Sequence, residues 1–397
     1  MKHEAIPAVR PESLALIERL IGFDTTSRES NLGLIEWVRD HLRSLGVDST
    51  LVYDATARKA NLFATIRGAR DPGDVPGLVL SGHTDVVPVD GQAWSTDPFK
   101  ATVAGGRLFG RGACDMKGFI GVALALAPRL VAADLRMPIS YALSYDEEIG
   151  CIGVRGLIEQ LQRERFRTAG VIVGEPTSMQ VIVAHKGKRS YRCRVHGREA
   201  HSALTPLGVN AIEYAARLIT QIRHLADRMS QTEARDHGFD VPFTTLSTGT
   251  IRGGTAGNIV PRECVFEWEF RYLPGADPEA IEREVKGYAE ALEPEMKQVA
   301  PEAGIEMTTT SEAPGSYLGD THAVTQLAIA LARNPQTAKV AYATEAGLFE
   351  KAGFPAIICG PGSINQAHRP DEYCDLEQLA QCELFMDRLI ERACASA

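Results

Sequence analysis

Short apolar runs alternate with amphipathic stretches along the first half of the chain. NLFATIRG, GLVLSGH, ISYALSY and GVIVGE are each bounded by turn residues, and runs of that length and punctuation predict strands. Between them, NLGLIEWVRDHLRSLG, FIGVALALAPRLVAA and GVRGLIEQLQRERF read as helices. PESLALIERLIGF predicts an amphipathic helix starting near Pro11, a residue suited to a first helical turn. This alternation predicts an α/β domain with a largely parallel or mixed sheet.

After Lys186 the pattern changes. RSYRCRVHG predicts a strand and NAIEYAARLITQIRHLADRM a helix. FTTLSTGTIRGG and CVFEWEFRYLP predict two strands, with a turn around Asn258 and Pro261. DPEAIEREVKGYAEALEPEM predicts a helix capped by Asp277, with Pro278 in its first turn, and GIEMTTTSE predicts a last strand. The order βαββαβ is that of a ferredoxin-like unit. THAVTQLAIALAR, PAIICGPG and a helix from about Leu376 then return to α/β character. The expected organisation is a larger domain in two parts, 1–186 and 313–397, with a smaller domain, 187–312, inserted. A chain of 397 residues accommodates two domains. Internal repeats and low-complexity segments are absent.

Composition narrows the function classes. Charged residues make up 23% and hydrophobic residues 44%, which is ordinary for a soluble globular protein. The net charge is −9 and no basic patch stands out, which argues against nucleic acid or an anionic membrane as partner. The first residues lack a long apolar stretch and a small-residue cleavage site, so PESLALIERLIGF is expected to be a helix and not part of a signal peptide. FIGVALALAPRLVAA, the most apolar later stretch, is broken by Pro128 and Arg129 and is too short to span a bilayer. The eight cysteines include no C-x-x-C pair, so reduced thiols and a cytoplasmic location are expected.

The candidate chemistry sits where the apolar runs stop. His83, Asp115, Glu148, Glu175 and His368 each lie at or beyond the end of such a run, in SGHTD, GACDMKG, SYDEEIG, VGEPT and GPGSINQAH. Two histidines and three carboxylates suit a pair of divalent ions such as zinc, which points to a two-metal hydrolase. His83 and Asp85, two apart in an extended segment, share a face, and Asp85 suits the ring proton that a metal-bound histidine donates. Asp115 can offer one oxygen to each ion, or it can cap the helix that follows. Glu147 and Glu148 are neighbours and point in opposite directions, so one can bind metal while the other moves protons. Three carboxylates and one hydroxide nearly neutralise two divalent ions, which lowers the cost of burying them.

With these residues in place, the chain resembles the family of dinuclear zinc metallopeptidases and amidohydrolases. SGHTDVVPVDG, GRGACDMKG, DEEIGCIG, VGEPT and AHRPDEY carry the resemblance, which runs from about Ser13 to the last helix. VAHKGKRSYRCRVHGREAHSA, GTIRGGTAGNIVPRECVFEWEFRYLPG and YATEAGLFEKAGFPAIICGPGSINQAHRPDEY are most similar to its amino-acid deacetylases. Gly257 stands where a larger apolar residue is expected, and EAPGSYLGDTH, 312–322, matches no family phrase. Both departures bear on the substrate more than on the reaction.

The resemblance implies a mixed-sheet, zinc-aminopeptidase-like catalytic domain with an inserted ferredoxin-like dimerisation or lid domain, and a homodimer. It implies zinc, with cobalt or manganese as alternatives. His83 and Glu175 would hold one ion, Glu148 and His368 the other, and Asp115 both. Glu147 would be the general base and Asp85 would support His83. His201 would stabilise the oxyanion, reaching a neighbouring subunit's site, and Arg271 and Asn258 would bind the substrate carboxylate or acyl group. Glu345, in ATEAG, is a candidate for reading a substrate ammonium group. The implied reaction is hydrolysis of N-acetylornithine. Other N-acyl amino acids, or a dipeptide or other peptide substrate, are the alternatives.

Overall fold

The apolar runs of the first half become the centre of one large mixed sheet. Its strand order is Ser49–Tyr53, Ala60–Ile66, Ile139–Ser144, Gly77–His83, Thr168–Val173, Ala356–Ile358, Val181–His185 and Ser316–Tyr317. The four strands from Ile139–Ser144 to Ala356–Ile358 run parallel, while Ser49–Tyr53, Ala60–Ile66 and Val181–His185 pair antiparallel with their neighbours. This computed structural model describes residues 6–69 and 75–395. It divides into two compact units: Met1–Ala184 with Ser316–Lys339 and Thr344–Ala397, and His185–Gly315 with Val340–Ala343.

In the first unit every residue of Gly77–His83 and Ile139–Ser144 is buried, as expected for parallel strands covered on both faces. Helix Lys117–Ala132 packs against Gly77–His83, Pro11–Ile21 and Leu376–Cys394, and its buried residues include Phe119, Ile120, Val122 and Leu126. Because the four central strands are parallel, their carboxyl ends lie on one edge. Open α/β sheets bind ligands at that edge. The edge receives His83 directly, then Glu147 and Glu148, Glu175, and the loop leading to His368.

The second unit is built differently. Gly187–His196, Thr245–Gly253, Glu263–Tyr272 and Gly304–Ala313 form an antiparallel sheet in which Thr245–Gly253 is an edge strand, followed by Glu263–Tyr272, Gly187–His196 and Gly304–Ala313. With helices Ala211–Thr232 and Pro278–Val299 this is the ferredoxin-like order. Burial alternates residue by residue along Glu263–Tyr272, because only one face is covered. Tyr191, Phe266, Trp268 and Phe270 fill that face, and Tyr191 stacks on Trp268 at 4.7 Å. The other face carries ion pairs such as Arg192 with Glu267 at 2.8 Å. Asp277 accepts the N–H of Ala280 at 3.1 Å and caps its helix, and Asn210 caps Ala211–Thr232.

Among the described residues, no helix is long and apolar enough to cross a membrane.

Gly174 joins Thr168–Val173 to Glu175, and a Cβ there would lie 2.1 Å from the ring of Phe119. Phe119 is itself buried and has little room to yield. Gly174→Ala is expected to lower stability by about 1–3 kcal/mol, the range for overpacking a core. Gly257 has nothing within 4 Å of the same added atom, so Gly257→Ala is expected to stay within about 0.5 kcal/mol. Urea unfolding midpoints of the two variants check both values.

Candidate metal centre

His83, Asp115 and Glu175 each present a ligand atom within 4.8 Å of the others, and so do Asp115, Glu148 and His368. Asp115 divides its oxygens between the groups. Its Oδ1 is 2.9 Å from Nε2 of His83, and its Oδ2 is 3.3 Å from Nε2 of His368. Glu175 Oε1 lies 3.8 Å from His83 Nε2, and Glu148 Oε2 lies 2.9 Å from His368 Nε2. Ligand atoms about 2.0–2.2 Å from a zinc ion stand roughly 3.3–3.6 Å apart in a tetrahedron. The separations bracket that span. The five residues named from the sequence are therefore brought together as two groups sharing one carboxylate.

Local structure places each of them. The helix after Asp115 begins with Met116 as its cap residue and has no side-chain cap bond, so Asp115 is not consumed as a cap. The Asp115–Met116 peptide is cis. His368 has φ 64, and its loop passes so close to Cys114 that a Cβ on Gly362 would meet Sγ at 2.6 Å. Glycine there lets the loop approach the Asp115 turn.

The charges in this space are under strong tension. Burial, then repulsion from Asp115, pushes Glu148 up to about 8. The same two causes drive Glu175 well above the carboxylate range. Burial works to raise Asp115, but hydrogen bonds with His368 and His83 outweigh it and hold the group low. Burial opposes charge on His83, yet the carboxylates of Asp115, Asp85 and Glu175 hold its pKa well above the usual value. Glu175 Oε1 is buried with no hydrogen-bond partner. Buried acceptors are normally satisfied, and an unpaired carboxylate oxygen facing a histidine and a second carboxylate is what a cation would occupy. The donor set fits two divalent ions.

Asp85 supports the centre in two ways. Its main-chain carbonyl accepts the His83 Nδ1 proton at 2.9 Å, so Nε2 is the nitrogen that would offer its lone pair to a bound metal. Its carboxylate, 3.6 Å from Nδ1, instead accepts N–H bonds from Glu147 at 3.1 Å and Glu148 at 3.3 Å, and the hydroxyl of Ser27 at 2.8 Å. The expected support of His83 thus passes through the main chain, while the side chain holds the two glutamates. Burial pushes Glu147 up to about 7, and its Oε1 accepts the Cys151 thiol at 3.3 Å. Neither Ser27 nor Cys151 carries a sequence signal for this position, apart from the closeness of Cys151 to Glu147 in DEEIGC.

The remaining candidates are spread out. Glu345 belongs to the first unit but is only 1% exposed. Its Oε1 accepts the Ser144 hydroxyl at 2.6 Å, and its Oε2 is buried without a partner. It therefore stands beneath the edge of the sheet and not on an open loop. His201, Asn258 and Arg271 belong to the second unit. His201 pairs with Ile259 across a two-residue ladder, and the Asn258 carbonyl accepts the N–H of Ser202 at 3.0 Å, so these two are neighbours. Arg271 lies near the opposite end of Glu263–Tyr272, where its Nε donates to Glu269 at 3.0 Å.

Comparison with known proteins identifies the family. Residues 79–392 match the model of peptidase family M20/M25/M40. The chain is 36% identical over 397 residues to an acetylornithine deacetylase of Myxococcus xanthus, covering 98% of this chain and 99% of that one. It is 34% identical over 375 residues to an acetylornithine deacetylase of Proteus mirabilis (strain HI4320), covering 94% and 92%. The fold is similar to that of an M20 family metallo-carboxypeptidase from Sulfolobus solfataricus, with a TM-score of 0.77, 18% identity and coverage of 97% and 99%. The paired ligand groups, the mixed α/β fold and a match over most of the sequence lead to one assignment: the chain belongs to peptidase family M20/M25/M40 and is a metallohydrolase of that family.

Proposed function

We propose that this protein is a two-metal amide hydrolase that cleaves N2-acetyl-L-ornithine to L-ornithine and acetate. The observation that carries the reading is the pair of ligand groups sharing Asp115. The substrate is inferred from the near full-length similarity to acetylornithine deacetylases. Zinc is the proposed metal, because mixed histidine and carboxylate donors suit it. The cytoplasm is the proposed location, and the eight free thiols suit its reducing conditions.

When bound, two such ions supply Lewis acidity, polarising the amide carbonyl and making water more acidic. The residues do the rest. Glu147 holds Oε1 against the Cys151 thiol, which leaves Oε2 to take a proton from the attacking water. Its burial and raised pKa suit a base working near neutrality. The same oxygen then returns the proton to the nitrogen of the departing ornithine. His201 accepts the Ala203 N–H at Nδ1, 3.1 Å away, so Nε2 carries the ring proton and is the donor for the oxyanion. Arg271 offers a planar fork for a carboxylate, and Asn258 an amide beside His201. Glu345, with Oε2 buried and unpartnered, is the proposed group sensing the substrate ammonium.

A homodimer follows from the same assignments. Eight residues of extended strand separate Glu263, on the Asn258 side, from Arg271, which is roughly 26 Å at about 3.3 Å per residue. A small amino acid cannot touch both ends of one such sheet. If His201, Asn258 and Arg271 all serve one substrate, they come from two chains. Thr245–Gly253 is an edge strand with mostly exposed side chains, and such an edge is a ready pairing surface.

Initial rates with N-acetylornithine, N-succinyl-diaminopimelate, N-acetylmethionine and a dipeptide test the substrate. N-acetylornithine is expected to turn over fastest, with activity lost on chelation and restored by zinc. Faster hydrolysis of another substrate, or activity indifferent to chelator, rejects the reading. Glu345→Gln should lose preference for N-acetylornithine over N-acetylmethionine, and an unchanged preference removes Glu345 from the substrate set. Glu147→Ala is expected to keep its zinc content and lose at least ~10²-fold in kcat, the low end for proton-transfer catalysis. Mixing inactive His201→Ala with inactive Glu147→Ala, after dissociation and reassociation, should recover about a quarter of parental activity by random pairing in a two-fold dimer. No recovery would place His201 in its own chain's site.

A further inference from the structure

Arg111 and Glu372 are each 1% exposed and form an ion pair of 2.6 Å between Nη1 and Oε2. A buried pair of this kind is a poor source of stability by itself. Its other contacts show what it holds. Glu372 Oε1 accepts the main-chain N–H of Cys114 at 2.9 Å and of Asp115 at 3.0 Å. Arg111 Nη2 donates to Gln92 Oε1 at 2.6 Å, and the guanidinium lies 5.0 Å from the centre of the Trp94 ring. Gln92 Oε1 also accepts the Trp94 indole N–H at 3.0 Å, and Gln92 Nε2 donates to the main-chain carbonyl of His368 at 3.1 Å.

The series of bonds therefore begins on the backbone of Asp115 and ends on the backbone of His368. Both residues supply atoms to the group that also contains Glu148. His368 needs an external hold. Its φ of 64 is in the left-handed region, which a residue other than glycine adopts at a cost, and its side chain is half exposed, so packing does not fix it. His83 and Glu175 are held by other means: His83 by the Asp85 carbonyl, and Glu175 by following strand Thr168–Val173.

We propose that Arg111, Glu372 and Gln92 are positioning residues that set the spacing between Asp115 and His368, and so the affinity of the second metal position. The proposal rests on the two-ion reading given above. None of the three is a ligand, since the Glu372 oxygens are already taken by Arg111 and two main-chain N–H groups. Gln92 gives the cleanest test. Gln92→Glu keeps an oxygen for Arg111 and Trp94 but removes the N–H that faces the His368 carbonyl.

Metal-free protein is titrated with zinc by calorimetry, and His368→Ala identifies the step that belongs to the second position. In Gln92→Glu the Kd of that step is expected to rise ~10–100-fold, the effect typical of groups that orient metal ligands, with the other step changing by less than about threefold. Thermal unfolding of the metal-free variant should match the parent. Arg111→Lys should weaken the same step by a similar factor, and Gln92→Glu decides the matter where that variant does not fold. Equal weakening of both steps, or no change in either, overturns the proposal. Fewer than two zinc ions per chain in the parent would instead reject the two-ion reading, and the positioning role with it.

Discussion

Three carboxylates confined with two histidines at the end of a buried sheet form the constraint on which the first unit depends. Charge of one sign in a poorly solvated space is costly, by several kcal/mol per ion. The protein alone has few ways to relieve it. Protons are one, and the raised values of Glu148 and Glu175 show the carboxylates being driven that way. The histidines are another, and the same carboxylates favour the charged form of both. Two divalent cations would relieve the whole set at once, and would give the unpartnered oxygen of Glu175 a partner. The cluster is thus poorly satisfied as a purely structural feature and well satisfied as a metal centre.

Holding such a cluster together takes a stiff frame, and the frame is largely main chain. Parallel strands fix where His83, Glu148 and Glu175 leave the sheet. Asp85 then uses its carbonyl to orient the His83 ring and its carboxylate to gather the N–H groups of Glu147 and Glu148. One acidic residue therefore couples His83 to Glu147, the proposed base, and to Glu148, a ligand candidate of the second group. Glu372 treats the N–H groups of Cys114 and Asp115 in the same way. Carboxylates accepting backbone N–H bonds make strong, directional contacts, which suits residues that must not shift while charge moves beside them.

The parts of this site legible from sequence are those determined locally. His83, Asp115, Glu148, Glu175 and His368 each mark the end of an apolar run, so the pattern that predicts the strand also predicts the position of the ligand. The order βαββαβ was legible for the same reason, since each element is a short periodic segment. The double role of Asp85 was not, because it depends on how the loop after Ile139–Ser144 folds back against the end of Gly77–His83. Glu372 lies in a phrase that marks the family, AHRPDEY, yet its partner Arg111 is distant in sequence and only the packed fold shows the pair. Glu345 has an acid's ordinary appearance in a small-residue loop, while its burial reflects tertiary packing around Ser144.

The placement of the candidates also explains why reaction and substrate are not equally readable. All five ligand candidates and Glu147 belong to the first unit, where a sheet edge fixes them. The candidates for substrate contact are Glu345 in that unit and His201, Asn258 and Arg271 in the second. Within the second unit, His201 and Asn258 are joined by short-range bonds, whereas Arg271 is a strand length away. The ligand candidates are thus fixed by one sheet edge, whereas the candidates for substrate contact are spread over separate elements. This is the arrangement expected of a fold that hosts several amide substrates on one reaction, because function resides in the site and not in the architecture that carries it.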